Sequence, residues 1–422
     1  SRSRNPLLPY QEISSHILSN TMEWFLSESS LKLILGYVGN HRQEFEEHPE
    51  DENPPGDPAH EGPALDMKLQ TLNYNLQYQL SFGGNKILTI FGLQGMWQEN
   101  TNAGEEVLIP DARTTDVGLM ATSHLHFESG DLQLGLRYDH RNLEGDAYGT
   151  AGNPDFIPAL RRDYNSFNAA LGYRTDLGPK LIGRINLASG FRAPNLSELL
   201  SNGTHSGANR YEIGNPDLAN ERNVQADLAL EYKSEHLELS LNGFRNRVRD
   251  YIYLAPTGAV SGADPVYQYR QDDALLYGGE AGLHWHPHPL DWLHLQSNLA
   301  LVLGSLDSGQ DLPLIPPFSW KNTLRMEFES VSRSWQNVFG FVGLESYFRQ
   351  SRVSAFETET PAYNLVNIGL GGESRIFGKT LEVQLSANNL FDTAYISHLS
   401  RLKPDGVYNI GRNLSLGVNL LL

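Results

Sequence analysis

The 422-residue chain contains no cysteine, so no disulfide staples its fold; by itself this says little about compartment. It has no long hydrophobic run. Its apolar stretches are a few residues each, far short of the ~18 that a membrane-crossing helix requires. If the chain crosses a membrane it does so as a closed barrel, because only helices and closed barrels satisfy their backbone groups in lipid. Positive charge is in deficit: 32 Lys and Arg stand against 50 Asp and Glu, a net charge of -18. That balance argues against a nucleic-acid partner, which wants a basic face. It tolerates cationic ligands and keeps loops soluble. No GxSxG, HExxH or P-loop motif occurs, and nothing reads as an active site. The opening SRSRNPLL lacks the apolar core of a signal peptide, which predicts a start that is mature, trimmed or internal to a longer chain.

What the chain has is alternation. Leu72, Tyr74, Leu76, Tyr78, Leu80 and Phe82 interleave with Asn73, Asn75, Gln77, Gln79 and Ser81. Leu132, Leu134, Leu136 and Tyr138 interleave with Gln133, Gly135, Arg137 and Asp139. The C-terminal stretch repeats the pattern at Leu414, Leu416, Val418, Leu420 and Leu422. Successive strand side chains point to opposite faces, so one face meets apolar surroundings and the other water. With 39 Gly, 19 Tyr and 17 Phe, the composition suits an all-β antiparallel barrel. Many of the candidate strands exceed ten residues, against ~5–6 in globular sheets. Short connections, around 27–30, 83–85, 129–131, 176–180, 233–236, 287–291, 331–334 and 376–379, alternate with long ones. The long ones lie around 47–64, 100–114, 142–161, 194–222, 255–266, 304–317, 350–361 and 399–407. Short periplasmic turns and long extracellular loops mark the transmembrane β-barrel of the outer-membrane type. Trp24, Phe25, Trp285, Trp292, Tyr347 and Phe348, near strand ends, are expected in aromatic girdles.

Two stretches are distinctive. FRAP (191–194) is followed by a lone histidine, His205, then by YEIGNPDL (211–218) and RVRDYIYL (247–254). Near the C-terminus stands LEVQLSANNLFDTAYISH (381–398), followed by NIGRNLSLGVNLLL. These motifs resemble those of TonB-dependent outer-membrane receptors, and the resemblance covers most of the chain from about Asp111 onward. It implies a barrel in the bacterial outer membrane, lipid around it, no prosthetic group, and a metal or metal-chelate cargo. It also implies energy supplied by the TonB complex pulling on a plug in the lumen.

Family members close with ~22 strands around a plugged lumen. The connections predict about seventeen strands over residues 1–422, all of them β-barrel. An odd number and a downward first strand predict that a plug and roughly five strands precede Ser1. A complete barrel of ~16 or ~18 strands is the competing count. The chain ends in Leu422, where outer-membrane proteins commonly end in an aromatic residue.

The resemblance also assigns site residues. His205 corresponds to a histidine that resembles the haem-iron ligand of haem receptors, with Tyr211 and Glu212 in the same ligand-binding loop. An imidazole on an extracellular loop binds haem iron or zinc. The segment EFEEHPEDENPPGDPAHE (44–61) is an exposed loop, since four prolines prevent helix and strand. Its Glu47, His48, His60 and Glu61 suit zinc, and its place resembles the capture loop of zinc-uptake receptors. FRAP is read as architectural, with Pro194 ending a strand and Arg192 facing the polar lumen. Arg137, Asp139, Arg141, Arg184, Arg245, Arg247, Arg249 and Arg412 are further candidates for the lumen face. His284, His286 and His288 share a face opposite Trp285, but beside a short turn, on the wrong side for capturing external cargo. His124 and His126 share a strand face and would line the lumen.

The function expected is energised import of a metal ion or metal chelate, zinc or haem first. The alternatives are a siderophore receptor of the same family, a passive porin if the barrel is complete, and a structural or adhesion barrel.

Overall fold

The computed structural model describes residues 8–45, 62–84, 86–104, 107–153, 156–205, 210–262 and 264–421. Among them are nineteen strands and one short helix. Two strands, β9 (Asn202–His205) and β10 (Arg210–Ile213), have four residues each. The other seventeen have between nine and 25.

The chain divides into two compact units. The first comprises Ser1–Leu171, Ala188–Asn223 and Arg249–Asp272; the second comprises Gly172–Leu187, Val224–Val248 and Asp273–Leu422. In the first, β1 (Tyr10–Leu26), β2 (Ser29–Phe45), β3 (Leu65–Phe82), β4 (Ile87–Ala103), β5 (Ala112–Phe127) and β6 (Gly130–Gly145) each pair antiparallel with the next. In the second, β14 (Leu293–Leu306), β15 (Ser319–Ser332), β16 (Trp335–Tyr347), β17 (Tyr363–Ile376), β18 (Lys379–Asn388) and β19 (Asn413–Leu421) do the same. The strands β7 (Leu160–Gly178), β8 (Leu181–Arg192), β11 (Glu221–Lys233), β12 (Leu237–Ser261) and β13 (Asp264–Trp285) have residues in both units.

Each short connection expected from the sequence falls between consecutive strands of a hairpin. Local chemistry explains why. Phe377 and Gly378, between β17 and β18, have φ of 53° and 78°, the paired left-handed residues of a two-residue turn whose twist matches its strands. Gly83 and Gly84, after β3, carry φ of 60° and 67°.

One expected loop is not a loop. Residues 255–266 continue the hairpin, with β12 running to Ser261 and β13 starting at Asp264. Ile252, Ala255 and Val266 are buried, and Thr257 Oγ1 donates to the Val266 carbonyl at 3.0 Å. Strand β10 adds in parallel beside β13, with Tyr211 opposite Val266. Pairing partners outside the local sequence extend these strands beyond what alternation alone predicts. The last long connection is also longer than expected, spanning 389–412 between β18 and β19.

Apolar members of each alternation are among the exposed residues. Leu72, Leu136, Leu414, Leu416, Val418 and Leu420 are each half or more exposed. A row of exposed leucines is costly in water and expected against lipid. Of the strand-end aromatics, Trp24, Phe25, Trp285, Trp292 and Phe348 are exposed, as a girdle requires.

The first unit's buried cluster joins its long connections to the strands β6, β7, β12 and β13. Leu143, Ile157, Leu199, Leu200, Leu218 and Ile252 pack together, with Leu160, Leu196 and Tyr269 against them. Each such buried side chain contributes ~1.5–3 kcal/mol, so these loops are packed onto the strands that flank them.

Candidate functional site

The segment after β8 is built by its cap. Pro194 is buried and cannot donate to a ladder. Asn195 then caps the helix α1 (Leu196–Leu200): its side chain accepts from Glu198 N at 2.9 Å, and Glu198 returns a bond to Asn195 N at 2.8 Å. The Asn-x-x-Glu spacing of a capping box is the local signal for this helix, in a stretch expected from the sequence to be a loop.

Arg192 stands at the centre of this junction. Its Nη1 donates to both oxygens of Glu198 at 2.8 Å, and its Nε and Nη2 donate to Glu221 at 2.9 and 2.7 Å. Glu221 Oε1 also accepts from Ile252 N at 2.7 Å. One guanidinium thereby joins the end of β8, the helix and the start of β11, and through Glu221 reaches β12 at Ile252. Glu198 and Glu221 were not singled out from the sequence, because nothing local marks two carboxylates 23 residues apart as partners.

Gly214 permits the next contact. A Cβ there would lie 2.5–2.6 Å from backbone atoms of Leu199 and Leu200. The close approach lets Gly214 N donate to Ser201 O at 2.7 Å and Asn215 N to Glu198 O at 2.8 Å. Asn215, the first residue of NPDL, thereby helps to seat the helix.

Of the expected ligand-binding residues, Tyr211 and Glu212 lie on β10, which pairs antiparallel with β9 and places Tyr211 opposite Thr204 and Glu212 opposite Gly203. Tyr211 donates from its hydroxyl to Asn202 Oδ1 at 2.9 Å. Glu212 is buried and accepts from Arg210 Nε at 2.7 Å and from the Tyr269 hydroxyl at 3.2 Å. The Arg210 guanidinium lies 5.6 Å from the centre of the Tyr267 ring. His205 sits opposite Arg210 in this hairpin; its side chain is outside the described residues. Glu47, His48, His60 and Glu61 are outside them as well.

The polar strand faces are cross-linked by charge. Arg137 binds Asp139 at 2.6–2.9 Å, and Arg141 binds Asp116 through two bonds of 2.6 Å. Arg184 pairs with Glu231, and Arg247 with Asp307 and Asp273. In the long connection after β18, His398 is buried, with Nδ1 2.8 Å from Thr360 Oγ1 and 3.1 Å from Lys403 Nζ. Burial pushes the His398 imidazole below its ordinary pKa, and Lys403 adds to the effect.

Seven further histidines gather at short turns. His124 and His126 on β5 have ring centres 4.3 Å apart, and His126 Nδ1 lies 2.7 Å from Asp131. Strand β13 ends at Trp285, so His286 and His288 belong to the turn that follows it. There the sequence-marked His284, His286 and His288 are joined by His236 and His294, from the turn after β11 and the start of β14. The signal for His294 was hairpin symmetry: Trp285 pairs with Leu295, so the residues flanking the turn face one another.

Residues 10–390 match the family model described as "TonB dependent receptor-like, beta-barrel". The chain is 26% identical over 339 residues to the iron-regulated outer membrane virulence protein of Vibrio cholerae, covering 70% of this chain and 50% of that protein. It is 25% identical over 281 residues to the ferrienterobactin receptor of Escherichia coli K12, covering 61% and 34%. Among solved structures, the copper transporter OprC superposes with a TM-score of 0.74 at 17% identity, over 96% of this chain and 65% of that one. The ferric-catecholate import receptor Fiu of E. coli K12 superposes with a TM-score of 0.67 at 15% identity, over 97% and 64%. The chain spans about half the length, or less, of these curated relatives.

Proposed function

The chain belongs to the TonB dependent receptor-like β-barrel family, and we propose that it forms the barrel wall and gating loops of a receptor that imports a metal chelate. The family is one of outer-membrane receptors rather than enzymes. The proposed sequence of events starts with cargo settling on the extracellular loops. TonB then acts from the periplasm on a plug within the lumen, and the plug's movement opens the path. The observation that supports this reading is the asymmetry of the connections: short turns between one set of strand ends, and between the other set long segments that share a buried cluster with the strands they join. Such loops are rigid enough to hold a binding surface.

For the cargo, a ferric chelate of the siderophore class is the first reading. Tyr251 and Tyr253 have ring centres 6.4 Å apart and nearly parallel planes, and Arg210 lies over Tyr267. Flat rings and guanidinium groups suit an anionic aromatic chelate. The names of the relatives, iron-regulated and ferrienterobactin receptors, point the same way. A second reading, zinc or haem, rests on the composition of the segment holding Glu47, His48, His60 and Glu61, and on His205, Tyr211 and Glu212. Imidazole and carboxylate suit zinc, and imidazole suits haem iron.

Tryptophan-fluorescence titration of the purified protein with ferric catecholate, ferric hydroxamate, haemin and Zn2+ tests both. Saturable quenching by a ferric chelate supports the first. Binding of zinc but of no ferric chelate, with one zinc fewer in His48→Ala with His60→Ala, replaces it with the second. Saturation by none of the four would sink the import reading.

A further inference from the structure

We propose that His236, His286 and Asp291 form a binding site for a divalent transition-metal ion of the zinc class, on the short-turn rim of the strands. The three residues come from two turns, one between β11 and β12 and one between β13 and β14. One ligand atom from each lies within 4.8 Å of the others. Around a tetrahedral zinc bound at ~2.0–2.1 Å, ligand atoms stand ~3.3 Å apart. Side-chain rotation that moves the ligand atoms by up to ~1.5 Å closes the difference.

Four observations make this more than a cluster of imidazoles. His236 Nδ1 is buried and has no hydrogen-bond partner. A buried ring nitrogen left unpaired costs stability, and a metal ion is a partner that a lone-pair nitrogen accepts. The two histidines are pinned side by side by the backbone, His286 N donating to His236 O at 3.1 Å. Their rings meet edge to face, 5.2 Å apart at 78°. Asp291 is exposed on its turn, its Oδ1 4.0 Å from His236 Nδ1 and its carboxylate held only by a long 3.4 Å contact with His288 Nδ1, so a small rotation brings it inward.

A fourth position is available to His288, whose ring is stacked 5.5 Å from that of His236, or to water. Behind them stands a second row. The His286 and His294 rings lie 5.5 Å apart, His294 Nδ1 lies 3.1 Å from His284 Nε2, and His294 Nε2 lies 3.9 Å from Glu327. Imidazole with carboxylate selects zinc, copper or nickel over magnesium or calcium. The group His124, His126 and Asp131 is weaker. Both its histidines come from one strand, and His126 Nδ1 is already bonded to Asp131 at 2.7 Å.

In an outer-membrane barrel, short turns face the periplasm. The site therefore does not capture external cargo. It ties two turns together, as a metal staple whose binding energy adds to folding. It stands independently of the import reading.

The test is calorimetric titration of Zn2+ into the metal-stripped, detergent-folded protein carrying His48→Ala and His60→Ala, so that the acidic loop does not contribute. One zinc per chain is expected, weakened at least ~10-fold by His236→Ala, His286→Ala or Asp291→Asn and unchanged by His124→Ala; outer-shell changes alone weaken metal sites ~10–100-fold. Asp291→Asn, on an exposed turn, keeps the test valid if the histidine variants fail to fold. Co2+ bound at the same site should give the visible absorption of a tetrahedral complex. No saturable binding, or binding indifferent to Asp291→Asn and His236→Ala, overturns the proposal.

Discussion

Arg192 grips Glu221 through two parallel hydrogen bonds, 2.9 and 2.7 Å long, while its remaining nitrogen holds Glu198. The guanidinium is 41% exposed, but the two carboxylates are only 13% and 10% exposed. Removing the cation leaves two half-hidden negative charges facing each other. Arg192→Ala should therefore cost more than the ~1 kcal/mol of a surface pair and less than the ~3–5 kcal/mol of a fully buried one. Faster limited proteolysis between 193 and 220, with the strands intact, is the expected readout. Arg192→Lys should recover only part of the loss, since an ammonium cannot make the two-pronged bond.

Gly214→Ala should loosen α1 from the segment that seats it. The added methyl meets backbone, which cannot rotate away, and overpacking of this kind costs ~1–3 kcal/mol. Hydrogen exchange should speed up at the amides of Gly214 and Asn215, whose acceptors are Ser201 O and Glu198 O. Unchanged exchange would show that the helix tolerates the shift.

The 389–412 connection should loosen in mild acid. The folded pKa of His398 lies below its unfolded value of ~6.5. The folded state thus binds fewer protons, and stability rises with pH across the window between the two values. The loop's packing is complete above about pH 6.5 and weakens as pH falls below it. Proteolysis of this segment at pH 7.5 and pH 5 measures the change, and His398→Asn should flatten it.

Leu136, on the middle of β6, is 53% exposed. If it faces lipid, Leu136→Arg should cost ~2–4 kcal/mol near the bilayer midplane. Urea unfolding in phospholipid vesicles provides the value. A cost near zero would mean that this face meets water.

The alternation and the turn residues were legible from the sequence because they are local. A period of two assigns each side chain a face, and residues such as Gly83, Gly84 and Gly378 supply left-handed backbone where a tight turn needs it. Asn195 and Glu198, three residues apart, carry an equally local signal for their helix, which the expectation of a loop over 194–222 passed over. Partnerships were not legible where they join distant segments. The hairpin of β12 and β13 outgrew its expected loop because β10, some 50 residues earlier in the chain, lies beside it.

The sequence by itself determined the strands, their faces, their turns and the family to which the chain belongs, since periodicity and motif spacing act over a few residues. Only the tertiary structure decided that Arg192 would bridge Glu198 and Glu221, that Glu212 would be buried under Arg210 and Tyr269, and that His236 would reach His286. Those contacts depend on strand register and on how loops pack, and register is set by pairing between segments that no local spacing brings together.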